Sequence, residues 1–242
     1  MKINHNLKYA VALLMTMSVM PLLADDDNEI FLQQTGDTLV LTIDQVGYGN
    51  KFGGTIANGS VATDMILTGA SITFNLDQIG NSNQLFGPAI LDSSTIDMTF
   101  TGDSNVFDWN IGYVGDADNS DIDISVTGSS NTWDYDQGYA ASANYLDMDL
   151  TLVGSSNQFF IDIDSDQAKW EMDITGSSNN IDTKQIDASD HDLVVELDGD
   201  SMNMDIIQSS GSCGSNTCPG KIDLDLTSDN ATVTINQKDS SD

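Results

Sequence analysis

DIDISVTGSSNTWDYDQ, residues 121–137, reads as two strands joined by a tight turn. Ile122, Ile124 and Val126 precede the Thr-Gly-Ser-Ser-Asn phrase, and Trp133 and Tyr135 follow it. Apolar side chains at every second position mark strands with one buried face. The positions between them hold Asp121, Asp123, Asp134 and Asp136, which such a strand turns toward water. The phrase itself is rich in the residues that stabilise turns.

The same unit recurs along the chain. Its anchors are Gly36, Gly69, Gly102, Gly128, Gly154, Gly176, Gly199 and Ser228, spaced by 33, 33, 26, 26, 22, 23 and 29 residues. At the three alternate positions before the last seven anchors, twenty of 21 residues are apolar, Thr63 being the exception. After the anchors, the pairs run from Leu41 and Ile43 to Val233 and Ile235, with Thr183 the only polar member. Strand, turn, strand is therefore the repeating unit, and about eight copies are expected.

Two amide columns fall on the buried face. Gln45, Gln78, Gln137, Gln185, Gln208 and Gln237 share the ninth position after the anchor, where Ile111 and Ile163 complete the set. Asn105, Asn131, Asn157 and Asn179 share the third. An unpaired inward amide costs a few kcal/mol. Stacked on a like amide above and below, it donates and accepts along the column. An antiparallel sandwich of similar hairpins would show the same alternation, but it does not require like to lie over like. The expectation is an all-β fold: a β-solenoid of parallel, in-register repeats.

Longer units and inserts vary the pattern. The inserts include GYVGDADNSD, GYAASANY and SSGSCGSNTCPGK, and Pro88 and Pro219 fall in such stretches, where a missing N–H does least harm. Residues 1–24 have the layout of a secretory signal: Lys2 and Lys8, an apolar run from Tyr9 to Met20, then Ala24 before Asp25. A membrane anchor that stays attached is the alternative. Residues 25–242 are expected to form a single repeat domain with no membrane insertion once the signal is removed. In an exported chain, Cys213 and Cys218 are expected to close a loop disulfide; a lone pair five residues apart is a weak metal signal. The repeats run close to both ends with no obvious capping helix. That points to stacking on other copies or on a nucleating protein.

These residues resemble the curlin family, the subunits of bacterial curli fibres, whose turn pattern is Q-x-G-x-G-N. Gln45-Val46-Gly47-Tyr48-Gly49-Asn50 carries that pattern in full, and Gln78-Ile79-Gly80-Asn81-Ser82-Asn83 lacks only the second glycine. The family's N-x-Φ-x-Φ-x-Q strand (Φ, apolar) matches Asn131, Trp133, Tyr135 and Gln137, and also Asn179, Ile181 and Gln185 with Thr183 departing. In most units, however, the Gln before the turn is replaced by a residue such as Phe100 or Val126. The resemblance implies an extracellular amyloid-type fibre for adhesion and biofilm matrix.

Composition narrows the remaining classes. Against 38 acidic residues there are seven Lys and no Arg, giving a net charge of −31. Nucleic acid and anionic membrane are poor partners for such a chain, since both need basic patches. With 39% hydrophobic and 7% aromatic residues, it has enough apolar content for a core. Catalysis is not expected: apart from His5 in the leader, His191 is the only histidine, and no nucleophile–base signature surrounds it. The stretch Asp116–Asp121 opens like a calcium loop but lacks the turn glycine and closing Glu of an EF-hand. No cofactor is expected beyond diffuse divalent screening. Two roles follow: a subunit that stacks end to end, or a monomeric acidic adhesin or ligand-binding solenoid, calcium-assisted in one version.

Overall fold

A computed structural model describes residues 29–30, 32–47, 50–53, 65–111, 118–137, 145–163, 168–188, 192–210 and 220–239. They form strands and turns only. The strands are β1 (Glu29–Ile30), β2 (Leu32–Thr35), β3 (Val40–Val46), β4 (Lys51–Phe52), β5 (Met65–Ala70) and β6 (Thr73–Ile79). Next come β7 (Gln84–Asp92), β8 (Thr95–Thr101), β9 (Val106–Ile111), β10 (Asp121–Thr127), β11 (Thr132–Gln137), β12 (Asp147–Val153) and β13 (Gln158–Ile163). The last six are β14 (Lys169–Thr175), β15 (Asn180–Ala188), β16 (Asp192–Asp198), β17 (Asn203–Ser210), β18 (Lys221–Thr227) and β19 (Thr232–Asp239).

Successive strands alternate between two facing sheets. The longer sheet runs β1-β4-β7-β9-β11-β13-β15-β17-β19, with β2 and β5 completing the levels that β1 and β4 begin. The shorter runs β3-β6-β8-β10-β12-β14-β16-β18. Pairing is parallel and in register, as in Ile122 over Ile96 and under Met148. The molecule is a β-solenoid, as the repeat predicts. Like lies over like because each coil repeats the same alternation.

The inward rows make one continuous core. Aromatic side chains fill its middle: Phe107, Trp133 and Phe159 lie over one another, with ring centroids 4.2 Å apart for the first pair and 5.7 Å for the second. Across the coil, Phe100 meets Trp133 edge-on at 5.4 Å. Such rings add large buried area and favourable tilted contacts.

The first two turn phrases do not sit where their spacing predicts. Gly102, Gly128, Gly154 and Gly176 line one edge of the coil, each donating its N–H to the residue before the next anchor, as Gly128 does to Val153 O at 2.9 Å. Gly47 and Gly80 belong to that same column, through Gly47 N–H to Ile79 O and Gly80 N–H to Thr101 O. Gly36 and Gly69 lie on the opposite edge, where Gly36 N–H reaches Thr68 O. The strands flanking those two phrases are consequently exchanged between sheets. A count of units by the phrase therefore mixes the two edges.

Candidate functional site

The glycine edge is built as a set of hydrogen-bonded files. Gly128 has φ +145°, and a Cβ there would fall 1.9 Å from Gly102 O, so only glycine fits both the turn and the stack. Two residues on, Ser130 has φ 61°, and its counterparts Ser104, Ser156 and Ser178 match it within 1°. Between them, side-chain oxygens cap the turn above: Ser129 N–H donates to Asp103 Oδ1 at 2.6 Å, and Ser177 N–H to Ser155 Oγ at 3.0 Å.

The asparagine column closes each turn from inside. Asn105, Asn131, Asn157 and Asn179 are all buried. Asn105 N–H donates to Asn131 Oδ1 at 2.8 Å, Asn131 N–H to Asn157 Oδ1 at 2.8 Å, and Asn157 N–H to Asn179 Oδ1 at 3.0 Å. Three of the four amide Nδ2 groups turn to glycine carbonyls, Asn105 to Gly102 O at 2.9 Å, Asn157 to Gly128 O at 3.2 Å and Asn179 to Gly154 O at 3.0 Å. Asn157 Nδ2 also reaches Asn179 Oδ1 at 3.2 Å, and Asn131 Nδ2 has no hydrogen-bond partner among the described residues. This corrects the expected amide-on-amide ladder. The dominant link is amide to backbone, because the turn leaves a buried N–H that the strands do not pair. Asn50 and Asn83 extend the column and are also buried. Both end the curlin-like turn pattern, which aligns with the later Ser-Ser-Asn turns and so marks them in the sequence.

The glutamines do not form one column. Gln45 and Gln78 lie in the shorter sheet, where Gln78 Nε2 donates to Gln45 Oε1 at 2.6 Å. Gln185, Gln208 and Gln237 lie in the longer sheet, linked by Gln208 Nε2 to Gln185 Oε1 at 3.0 Å and Gln237 Nε2 to Gln208 Oε1 at 2.7 Å. Gln137 stands in the register of that second column, paired with Ile111 on one side and Ile163 on the other rather than with a glutamine. The split follows from the exchanged strands of the first two units. Where each ladder meets an apolar neighbour, one amide atom is stranded: Gln78 Oε1 beside Phe100, and Gln185 Nε2 beside Ile163, have no hydrogen-bond partner among the described residues.

The outward rows carry stacked acids. Asp97, Asp123, Asp149 and Glu171 follow one another on successive strands. At the strand spacing of about 4.8 Å, each neighbouring like pair costs roughly 1 kcal/mol in water before screening. On the other sheet, Asp108 lies beside Asp134, and Asp136 beside Asp162. Burial, then the charges of Asp134, Asp162 and Asp108, pushes the Asp136 carboxyl up to about 6, against the pull of Lys184. Asp108 and Asp134 are raised too, first by burial and then by one neighbouring carboxylate each. Lys184 relieves part of this through Asp162 at 2.7 Å, and Lys169 pairs with Asp147 at 3.1 Å.

Both ends of the stack show their inner rows. Leu197 and Ile206 are 0% and 1% exposed, whereas Leu226 and Ile235, one coil later in the same rows, are 39% and 48% exposed. At the opposite end, Ile30, Leu32 and Leu41 are only partly buried. The run of repeats toward both ends points to such surfaces, but the residue types do not mark them, because they match those of the interior.

Residues 1–24, expected to be a secretory signal, lie outside the described residues, as do His191, Cys213, Cys218 and Asp116 of the calcium-like stretch. Within that stretch, Ser120 Oγ donates to Leu91 O at 2.7 Å, which ties it to the neighbouring coil. Among the described residues, no group of three or more acidic, His or Cys side chains is placed to hold a metal ion. In comparisons with protein-family models, curated proteins and solved structures, nothing matches this chain.

Proposed function

We propose that this chain is an exported, curlin-like structural subunit that stacks end to end into an extracellular amyloid-type fibre. The role is mechanical rather than catalytic, serving adhesion and the matrix between cells. The reading rests on one observation: inner rows that are sealed within the stack stand open at both ends, with strand edges beside them. Such edges template further strands unless something covers them. The partner is a second copy, or a nucleating protein that presents the same kind of edge.

The test is electron microscopy of the purified chain, freed of its leader, at micromolar concentration. Unbranched filaments with a meridional reflection near 4.8 Å are expected. A chain that stays monomeric at every salt and pH tried would overturn the fibre and favour the single-molecule adhesin.

A further inference from the structure

We infer that successive copies join head to tail with a half-turn about the stack axis, β3 of the next copy extending the longer sheet from β19. The inference rests on the fibre reading and specifies its joint. Among the described residues, the longer sheet has nine levels and the shorter has eight. Level by level the described strands alternate between sheets, so they begin and end on the longer one. Stacking a second copy without rotation would set its β1 and β2 on β19. It would then leave β18 and the next β3 two strand spacings apart, a missing strand in the wall. A half-turn removes the gap. The next β1 and β2 land on β18, the next β3 lands on β19, and every contact stays parallel.

The residues fit that joint. The turn at Gly36 sits on the wrong edge of its own molecule, yet it has the geometry of the glycine edge. Gly36 has φ 142° and Thr38 φ 62°, against 142° and 61° for Gly102 and Ser104. Asp37 Oδ1 accepts from Ala70 N–H at 3.0 Å, as Asp103 Oδ1 accepts from Ser129 N–H. After a half-turn, Gly36 of the next copy continues the column that ends at Ser228. Register then follows from the turns. Leu41 and Ile43 of the next copy cover Val233 and Ile235, and Gln45 of the next copy meets Gln237, lengthening the amide ladder. On the other sheet, Ile30 and Leu32 of the next copy cover Ile222 and Leu224. Gln34 of the next copy falls on Leu226, a mismatch of the kind Gln78 and Phe100 already make inside the molecule.

Charge favours the same register. Interior strands set Asp on Asp, whereas the joint strands bring Asp44 of the next copy to Asn236 and Gln33 of the next copy to Asp225. One acid pair remains, Asp37 of the next copy over Asp229 in the turn.

Cryo-electron microscopy of filaments grown from the leader-free chain tests this directly. The expected helical symmetry is a rotation of about half a turn beyond the coil's own twist, with a rise of about 41 Å per copy at 4.8 Å per level. Filaments whose copies repeat without the half-turn, near 43 Å on the same spacing, would overturn the joint and leave the fibre standing. Absence of filaments would overturn both. A second measurement uses oxidative cross-linking in a Cys213→Ser, Cys218→Ser background. Asn236→Cys chains are expected to link to Asp44→Cys chains and not to Gln33→Cys chains. The reverse pattern belongs to the unrotated joint and would refute the half-turn.

Discussion

At the scale of single residues, the coil is held by groups that satisfy a neighbour's backbone rather than their own. Asn157 shows this best, since its Oδ1 accepts Asn131 N–H at 2.8 Å and its Nδ2 donates to Gly128 O at 3.2 Å. Removing that amide leaves a buried N–H that water cannot reach, a loss of about 1–3 kcal/mol. Asn157→Ala is therefore expected to lower Tm by about 2–12 °C, given about 2–4 °C per kcal/mol for a chain of this size. Thermal unfolding followed by circular dichroism reads the change. Asn157→Asp keeps the acceptor, loses the donor and adds a buried charge, so it is expected to be at least as damaging. A Tm within 1 °C of the parent for both variants would show that the column is incidental.

Strands and turns explain both what the residues reveal and what they conceal. Alternation between apolar and acidic positions is a local property, so the strands from β8 onward, their inward rows and their parallel stacking are all legible in the sequence. Which edge a turn occupies is not local. Gly36 and Gly102 share nearly the same backbone geometry, and only the number of strands between them decides that they face opposite ways. For that reason Gln45 and Gln78, aligned by phrase with Gln185, belong to the other sheet. The acid rows add an element-scale consequence. Asp136 holds its proton more tightly in the fold than unfolded, with a pKa of about 6 against 3.8. Between those values the folded state binds more protons, so stability falls as pH rises toward 6 and is lowest above it. The solenoid is thus expected to melt higher at pH 5 than at pH 7.5. Asp136→Asn should raise Tm at pH 7.5 by about 2–4 °C, the equivalent of about 1 kcal/mol after screening, and should flatten the pH profile. Differential scanning calorimetry across pH 4–8 measures both, and a melting point that climbs with pH would contradict them.

For the whole molecule, the balance lies between open apolar ends and a charge of −31. Two copies that approach end to end bring together acid rows that already repel within each stack. The joint itself adds a single stacked acid pair, Asp229 with Asp37 of the next copy, so most of the opposition comes from charges farther along the rows. Interactions of that range are the ones salt removes, because the Debye length falls from about 30 Å at 0.01 M to about 8 Å at 0.15 M. Apolar contacts at the end rungs lose nothing under the same change. Assembly at pH 7.4 is consequently expected to have a lag at least about ten times shorter at 0.15 M than at 0.01 M salt, a barrier change of about 1.4 kcal/mol. Acidification to pH 5 at low salt should shorten it as well, since protonating Asp136 removes part of the same repulsion. A divalent salt matched in ionic strength should act no more strongly than a monovalent one if screening is the cause, whereas a large excess effect would reveal a specific ion site. Lag times from amyloid-dye fluorescence, normalised to protein concentration, separate these outcomes. Assembly that is fastest at neutral pH without added salt would mean that the acid rows do not govern the approach of one copy to the next.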